Sequence, residues 1–241
     1  MTETATLDVA PQPGLFARAI GIVTSPKATF EAVVRQPKVL GVLALVAFLV
    51  GASQSAMNLT EKGRQASVDF QVSQMEKFGV TVNDQMYESI ASRQKYAVYT
   101  SFVGTFISFP IVLLIMSGIL YAVFNAIMGG TAEFKQVMAV CAHSMVISSL
   151  GAVFGGVMNF VRGSISTSVA NLGMLLPMLP ERSFAANLAG AIDVFTIWWV
   201  ITLSIGLGVL YKRKTSSLAM GLFIVYAVIA VGVSYFFSSK G

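Results

Sequence analysis

His143 is the single histidine of this 241-residue chain, and it stands inside an apolar run, "AVCAHSMVISS". An imidazole in such surroundings could relay a proton or contact a ligand, and Ser144 beside it could share that work. A relay needs an ionisable partner at similar depth. The surrounding run offers no carboxylate, so the plainer reading is a neutral histidine bonded to a neighbouring helix. Asp193 opens a second apolar run, "DVFTIWWVITLSIGLGVLY". A carboxylate there is favoured by the helix dipole. It could also pair with His143 or with Arg162. Arg162 is the easier partner, because it leaves one run on the side where Asp193 begins the other.

Other residue types narrow the chemistry. Cys141 is the single cysteine and lies within an apolar run, which rules out an intramolecular disulfide and speaks against metal or redox work. No zincin helix, P-loop, nucleophile elbow or carboxylate pair is present. No catalytic residue, metal ligand or cofactor site is therefore expected, and the chain reads as a non-enzyme. Gly151 and Gly155 form a GxxxG spacing, with Ser148, Ala152 and Gly156 stepping alongside. Small residues let helices approach closely. Packing within one bundle is the default reading, and a homo-oligomer through this stripe is the lesser one. Trp198 and its neighbour Trp199 read as packing or interfacial aromatics.

These residues need elements to carry them, and composition decides which kind. The chain is 55% hydrophobic and 11% charged, with a mean hydropathy of +0.75. A soluble domain carries roughly 25% charge. So apolar a chain would expose greasy surface in water, and a bilayer is its natural solvent. The net charge of +5 sits at the edges of apolar runs rather than in a patch with interleaved aromatics. That is a topology signal and excludes a nucleic-acid binder.

A spanning helix takes about 20 apolar residues. Five runs qualify, over about 39–58, 97–128, 134–161, 190–211 and 218–237. The second would extend about 48 Å against a hydrocarbon core of about 30 Å. It must tilt, protrude or kink, and Pro110 is the natural kink point. Residues 59–96 are polar. Val68, Val72, Met75 and Phe78 step at helical intervals there, Gly79 breaks the pattern, and a second helix is due from about Asn83. This reads as a helical hairpin outside the bilayer. Residues 162–189 hold Pro177 and Pro180, and their apolar part "LGMLLPMLP" is too short and broken to span, which suggests an interfacial or re-entrant loop.

Orientation follows lysine and arginine near the spans. With the N-terminus in the cytoplasm, the inside carries Arg18, Lys27, Arg35, Lys38, Lys135, Lys212, Arg213 and Lys214. The outside carries Lys62, Arg64, Lys77, Arg93, Lys95, Arg162, Arg182 and Lys240. Counts are level, so density decides. "YKRKTSS" packs three cations into one tight turn, and Arg35 and Lys38 abut the first span. The cations of the outer hairpin are matched by Glu61, Asp69, Glu76, Asp84 and Glu88. The expectation is N-terminus cytoplasmic and C-terminus extracytoplasmic.

Residues 1–13 read as a disordered tail, and 14–237 as one membrane domain. The stretch "GLFARAIGIVTSPKATFEAVVRQPKVL" then precedes the first span, and that span is too long for a cleaved signal sequence. Phe16, Ala19, Ile20 and Val23 share one helical face. Ser25 suits an N-cap and Pro26 the first helical position of a second helix, whose apolar stripe is Phe30, Val33 and Val34. These are two amphipathic helices lying in the cytoplasmic interface. The interface residues are Phe16, Ile20, Lys27, Phe30, Arg35 and Lys38, with Lys212, Arg213 and Lys214 in the later turn. They form a structural cuff, or else a lipid-sensing or docking surface.

Three segments together resemble the Yip1 domain family over about 15–237. They are the "SPKATFEAVVRQP" start, "TAEFKQVMAVCAHSMVISSLGAVFG" with its histidine followed by serine, and "DVFTIWWVITLSIGLGVLYKRKTSSLAM" with Asp193, Phe195, Ile197 and Trp198. The resemblance implies an all-α polytopic membrane protein with five transmembrane helices. It would carry N-terminal amphipathic interfacial helices and an extracytoplasmic helical hairpin. Eukaryotic members carry a "DLYGP" motif that this chain lacks, and many place a proline where it has Ile147 and Ser148. Their engagement of Rab GTPases therefore does not carry over, and the chain is more similar to prokaryotic members.

The expected function is non-enzymatic. The protein would act through partners in a prokaryotic cytoplasmic (inner) membrane, either in membrane organisation or as an accessory subunit of another membrane complex such as an exporter. The expected partners are membrane lipids and other membrane proteins, with no nucleic acid and no cofactor. The alternative is a small-solute or ion transporter or channel using polar residues around His143.

Overall fold

The computed structural model describes residues 13–165, 169–180 and 183–238. Residues 1–12 of the expected tail, together with Arg182 and Lys240, lie outside the described residues. Ten helices carry the described chain. They are α1 (Leu15–Thr24), α2 (Pro26–Arg35), α3 (Leu40–Met57), α4 (Glu61–Lys77), α5 (Asp84–Arg93), α6 (Ala97–Tyr121), α7 (Phe134–Arg162), α8 (Phe184–Ala191), α9 (Val194–Tyr211) and α10 (Thr215–Ser238). A π turn, Ala122–Ile127, extends α6. Five segments are long and apolar enough to cross a membrane: α3, the continuous stretch containing α5 and α6, α7, α9 and α10. The protein is an all-α polytopic membrane protein.

Local chemistry sets most helix ends. Thr60 caps α4 by accepting from the Gly63 N–H at 3.0 Å. Gly79, at φ +81, ends that helix in the left-handed region that favours glycine. Asn83 caps α5 through the Met86 N–H at 2.9 Å. Glu133 and Gln136 form a capping box at the start of α7, and Gly163 closes its far end at φ +65. Ser25 sits at the N-cap of α2 with Pro26 after it, but its hydroxyl makes no capping bond. The Thr29 hydroxyl instead donates to the Ser25 carbonyl at 3.0 Å, tying the first turn of α2 together from within.

In lipid, apolar side chains gain little by leaving their solvent. Helices associate through close packing and polar contacts instead. The five spans differ sharply in how much they are packed. α7 is 61% buried inside the protein over its apolar window, whereas the corresponding windows are 17% buried for the α6 segment and 11% for α10. α7 is thus the axis, touched by α1, α2, α3, α6 and α9. α10 hangs on the outside, packed on α8 and α9, and shares no packed interface with α6.

The two N-terminal helices are more deeply set than amphipathic patterning suggests. Their outer face is as expected, with Phe16 70% exposed and Ile20 63% exposed. Their inner face holds Ile22, Phe30 and Val33, all completely buried. Phe30, assigned by sequence to the membrane interface, is corrected to the core. Its ring enters where Gly206 of α9 leaves room, since a Cβ at Gly206 would fall 2.9 Å from Phe30 Cε1 and 2.6 Å from Val140 Cγ1. Arg18 is also buried, turned inward toward α7 rather than toward headgroups. Burial lowers its pKa below the ordinary guanidinium value. The expected cuff is therefore wedged into one end of the bundle.

That end is tied by polar contacts as well. Gln136 Nε2 donates to the Val34 carbonyl at 3.1 Å. Tyr211 stacks on Phe124 with centroids 4.9 Å apart and donates its hydroxyl to Asn125 Oδ1 at 2.8 Å. Arg213 reaches the Met128 carbonyl at 3.2 Å. The π turn after α6 is thereby clamped to the basic turn between α9 and α10. Lys27, Arg35, Lys38, Lys212, Arg213 and Lys214 are all exposed at this end.

Candidate functional site: a polar cavity on the third span

The opposite end of the bundle is hollow. A cavity of about 890 Å³ lies on one face of α7, under the α4–α5 hairpin. Its floor and inner wall come from α7 through Ser148, Gly151, Ala152, Gly155 and Asn159. Those positions repeat every three or four residues, so they line one helical face. α3 adds Ser53, Gln54 and Asn58. α9 adds Asp193 and Thr196, and α10 adds Tyr226. The hairpin and the start of α6 close the top with Gln71, Arg93, Gln94, Thr100 and Ser101.

Depth is the cavity's defining property. Ser148 is the fifteenth of the 29 residues of α7, and it is exposed although the residues from Ala139 to Ile147 are all buried. Accessible polar surface therefore extends to about the middle of the axial helix. Gly155 contributes by having no side chain. A Cβ there would meet nothing within 4 Å, so the glycine faces open space. Its partner in the GxxxG behaves differently. A Cβ at Gly151 would fall 2.8 Å from Phe195 Cγ, so Gly151 is where α9 approaches. Gly156 faces α3 in the same manner, 3.0 Å from Ser53 Cβ.

Several polar groups around the cavity are satisfied within the fold. Asp193 Oδ1 accepts from the Phe195 and Thr196 N–H groups at 2.9 and 3.1 Å, which makes it the N-cap of α9. Its backbone forms an isolated bridge with Asn171, so the loop after α7 is stitched to the start of α9. The Tyr226 hydroxyl donates to the Ala191 carbonyl. Ser67 donates to Asn58 Oδ1 at 2.7 Å. Gln94 stands apart. It is 6% exposed, and its Oε1 is buried with no hydrogen-bond partner.

The residues singled out from sequence fall into two groups. Asp193, Gly151 and Gly155 come together at the cavity. His143 and Ser144 do not. Both are fully buried in the other half of α7. His143 Nδ1–H donates to the Ala139 carbonyl at 2.8 Å and Ser144 donates to the Val140 carbonyl at 2.8 Å, each one turn back along its own helix. The neutral-histidine reading expected a bond to a neighbouring helix; the bond is to its own. The expected pairing of Asp193 with Arg162 or His143 is not formed. Arg162 is exposed and turns its Nη2 to Met174 Sδ at 3.9 Å, while α7 holds His143 on the far side of Ser148. Trp198 packs against the core and stacks on Phe195 at 6.5 Å.

Sequence reading missed Gln94, Asn58, Asn159 and Tyr226. The small residues Ser148, Gly151, Ala152 and Gly155 were legible as a stripe, but small residues suggest contact with a helix rather than a void. Among the described residues, no group of three or more His, Cys, Asp or Glu side chains could hold a metal ion.

Comparison with known proteins follows the same outline. The Yip1 domain matches residues 20–237. The chain is similar to Membrane protein YknW of Bacillus subtilis (strain 168), 26% identical over 232 residues that cover 94% of this chain and 89% of that protein. No solved structure matches. With a domain match running from the first amphipathic helix to the end of the fifth span, this chain belongs to the Yip1 domain family.

Proposed function

We propose that this protein is a non-enzymatic membrane protein that works through partners, in membrane organisation or as an accessory subunit of a larger membrane complex such as an exporter. The observation that carries this reading is the imbalance between its spans. α6 and α10 have few buried residues in their apolar windows, 17% and 11%, and expose Ile107, Ile115 and Ile119 on α6 and Val228, Ile229 and Val233 on α10. A helix with so wide an exposed apolar face has that face free for another transmembrane helix. Small residues favour such contacts, and Gly104 and Gly118 on α6 and Gly221 and Gly232 on α10 all face open space.

The cluster of exposed cations at the α1–α2 end supports placing the N-terminus in the cytoplasm. Protease protection in vesicles tests this, with cleavage near Lys27 expected only from the cytoplasmic side. Purification in mild detergent after in-membrane crosslinking tests the partner reading. Crosslinks from cysteines placed at Ile115 and Ile229 should capture other membrane proteins. A chain that remains a lone monomer under those conditions overturns it. The transporter alternative draws no support from the cavity, which ends near Ser148 without reaching His143.

A further inference from the structure

We infer that the cavity on α7 is a binding site for the headgroup of a phospholipid that carries its own hydrogen-bond donor, such as an ethanolamine or glycerol headgroup. Three observations meet here. First, Gln94 lies on the cavity wall, and its Oε1 is buried with no hydrogen-bond partner among the described residues. Leaving such a group unsatisfied forfeits its hydration without return, and its terminal torsion is soft enough to turn it toward an occupant. The amide presents both an acceptor and a donor. It therefore suits an occupant with an N–H or O–H as well as an oxygen.

Second, Arg93 lines the same cavity, is exposed, and forms no ion pair among the described residues. Arginine forks match phosphate oxygens. Gln94 and Arg93 are adjacent in sequence at the top of the cavity, so one phosphate-bearing polar group can meet both.

Third, the place favours a lipid over a solute. The cavity runs from the hairpin to the middle of α7, at bilayer depth, and its walls include Ser101 on α6 and Tyr226 on α10. Those two helices share no packed interface. The apolar faces that they leave exposed give acyl chains a track between them, with the headgroup drawn inward to the polar wall.

The test uses full-length protein purified in detergent. It is titrated with phosphatidylethanolamine, phosphatidylglycerol and phosphatidylcholine of identical chains, read by native mass spectrometry and thermal shift. Phosphatidylcholine has the phosphate but no N–H or O–H, so it should bind at least about tenfold more weakly than the other two. Gln94→Met should erase that discrimination, and Arg93→Ala should weaken all three lipids. Ser148→Leu, which fills the cavity floor from the middle of α7, should weaken the donor-bearing lipids in a protein whose unliganded melting temperature is kept. Equal binding of phosphatidylcholine to the wild type, or unchanged discrimination in Gln94→Met, overturns the inference. Glycerophosphoethanolamine, the headgroup without chains, separates the sources. Binding as tight as the intact lipid would place the ligand in solution and overturn the membrane origin.

Discussion

The axial helix α7 is two helices in physical character. From Val137 to Ile147 all but Met138 are buried, and the polar side chains there, His143 and Ser144, turn back on their own backbone. From Ser148 to Asn159 the same helix presents small and polar residues to a cavity of about 890 Å³. One helix shows dry packing at one end and accessible polar surface at the other. The difference does not come from composition alone. It comes from what the neighbours bring. At the first half, α1 and α2 are wedged in and Phe30 fills the groove at Gly206. At the second half, no helix is wedged in, and the hairpin bridges the gap instead of filling it.

The contrast can be broken or sharpened by experiment. The largest effect is expected in thiol labelling. Native Cys141 is buried and should resist maleimide in the folded protein, whereas Ser148→Cys, two turns along the same helix, should label fully. Labelling of Cys141 at the same rate would erase the distinction between the halves. Next in size, Phe30→Ala should cost about 3–5 kcal/mol of stability by emptying the wedge, measured as reversible unfolding in mixed micelles. A loss under about 1 kcal/mol would return Phe30 to the membrane interface.

Smaller effects test the cavity end. Gly151→Ala places a Cβ against Phe195 and should cost about 1–3 kcal/mol. Gly155→Ala points into open space and should be neutral in the same assay, or slightly favourable by helix propensity. Equal costs at both glycines would mean that the GxxxG is a single packing unit after all. Smallest, Asp193→Ala removes an N-cap and should cost about 0.5–2 kcal/mol, recovered in large part by Asp193→Asn. A loss that asparagine does not recover would mean that the charge, and not the cap, is what matters there.

Much of the fold was legible because membrane solvent imposes a coarse rule. Long apolar runs must be helices, since no other open structure satisfies its backbone in lipid. Gly79 and Asn83 mark helix ends for equally local reasons. The cavity was not legible. Ser148, Ala152 and Gly155 look like a packing stripe in sequence, and only the absence of a facing helix turns them into a wall. Gln94 is an ordinary polar residue at a hairpin end until the fold buries it.

By itself, then, the sequence determined solvent, the number of spans, several helix ends and the basic turn, because each follows from hydropathy, caps and charge within a short stretch of chain. Tertiary structure alone decided which face of each helix is covered. It put Phe30 and Arg18 inside, separated His143 from Asp193, split the GxxxG into one packed and one open glycine, and left Gln94 Oε1 without a hydrogen-bond partner among the described residues. Those outcomes depend on which helices meet, and apolar runs of similar hydropathy do not encode their neighbours locally. In lipid the choice rests on shape and a few polar contacts, which exist only once the bundle has formed.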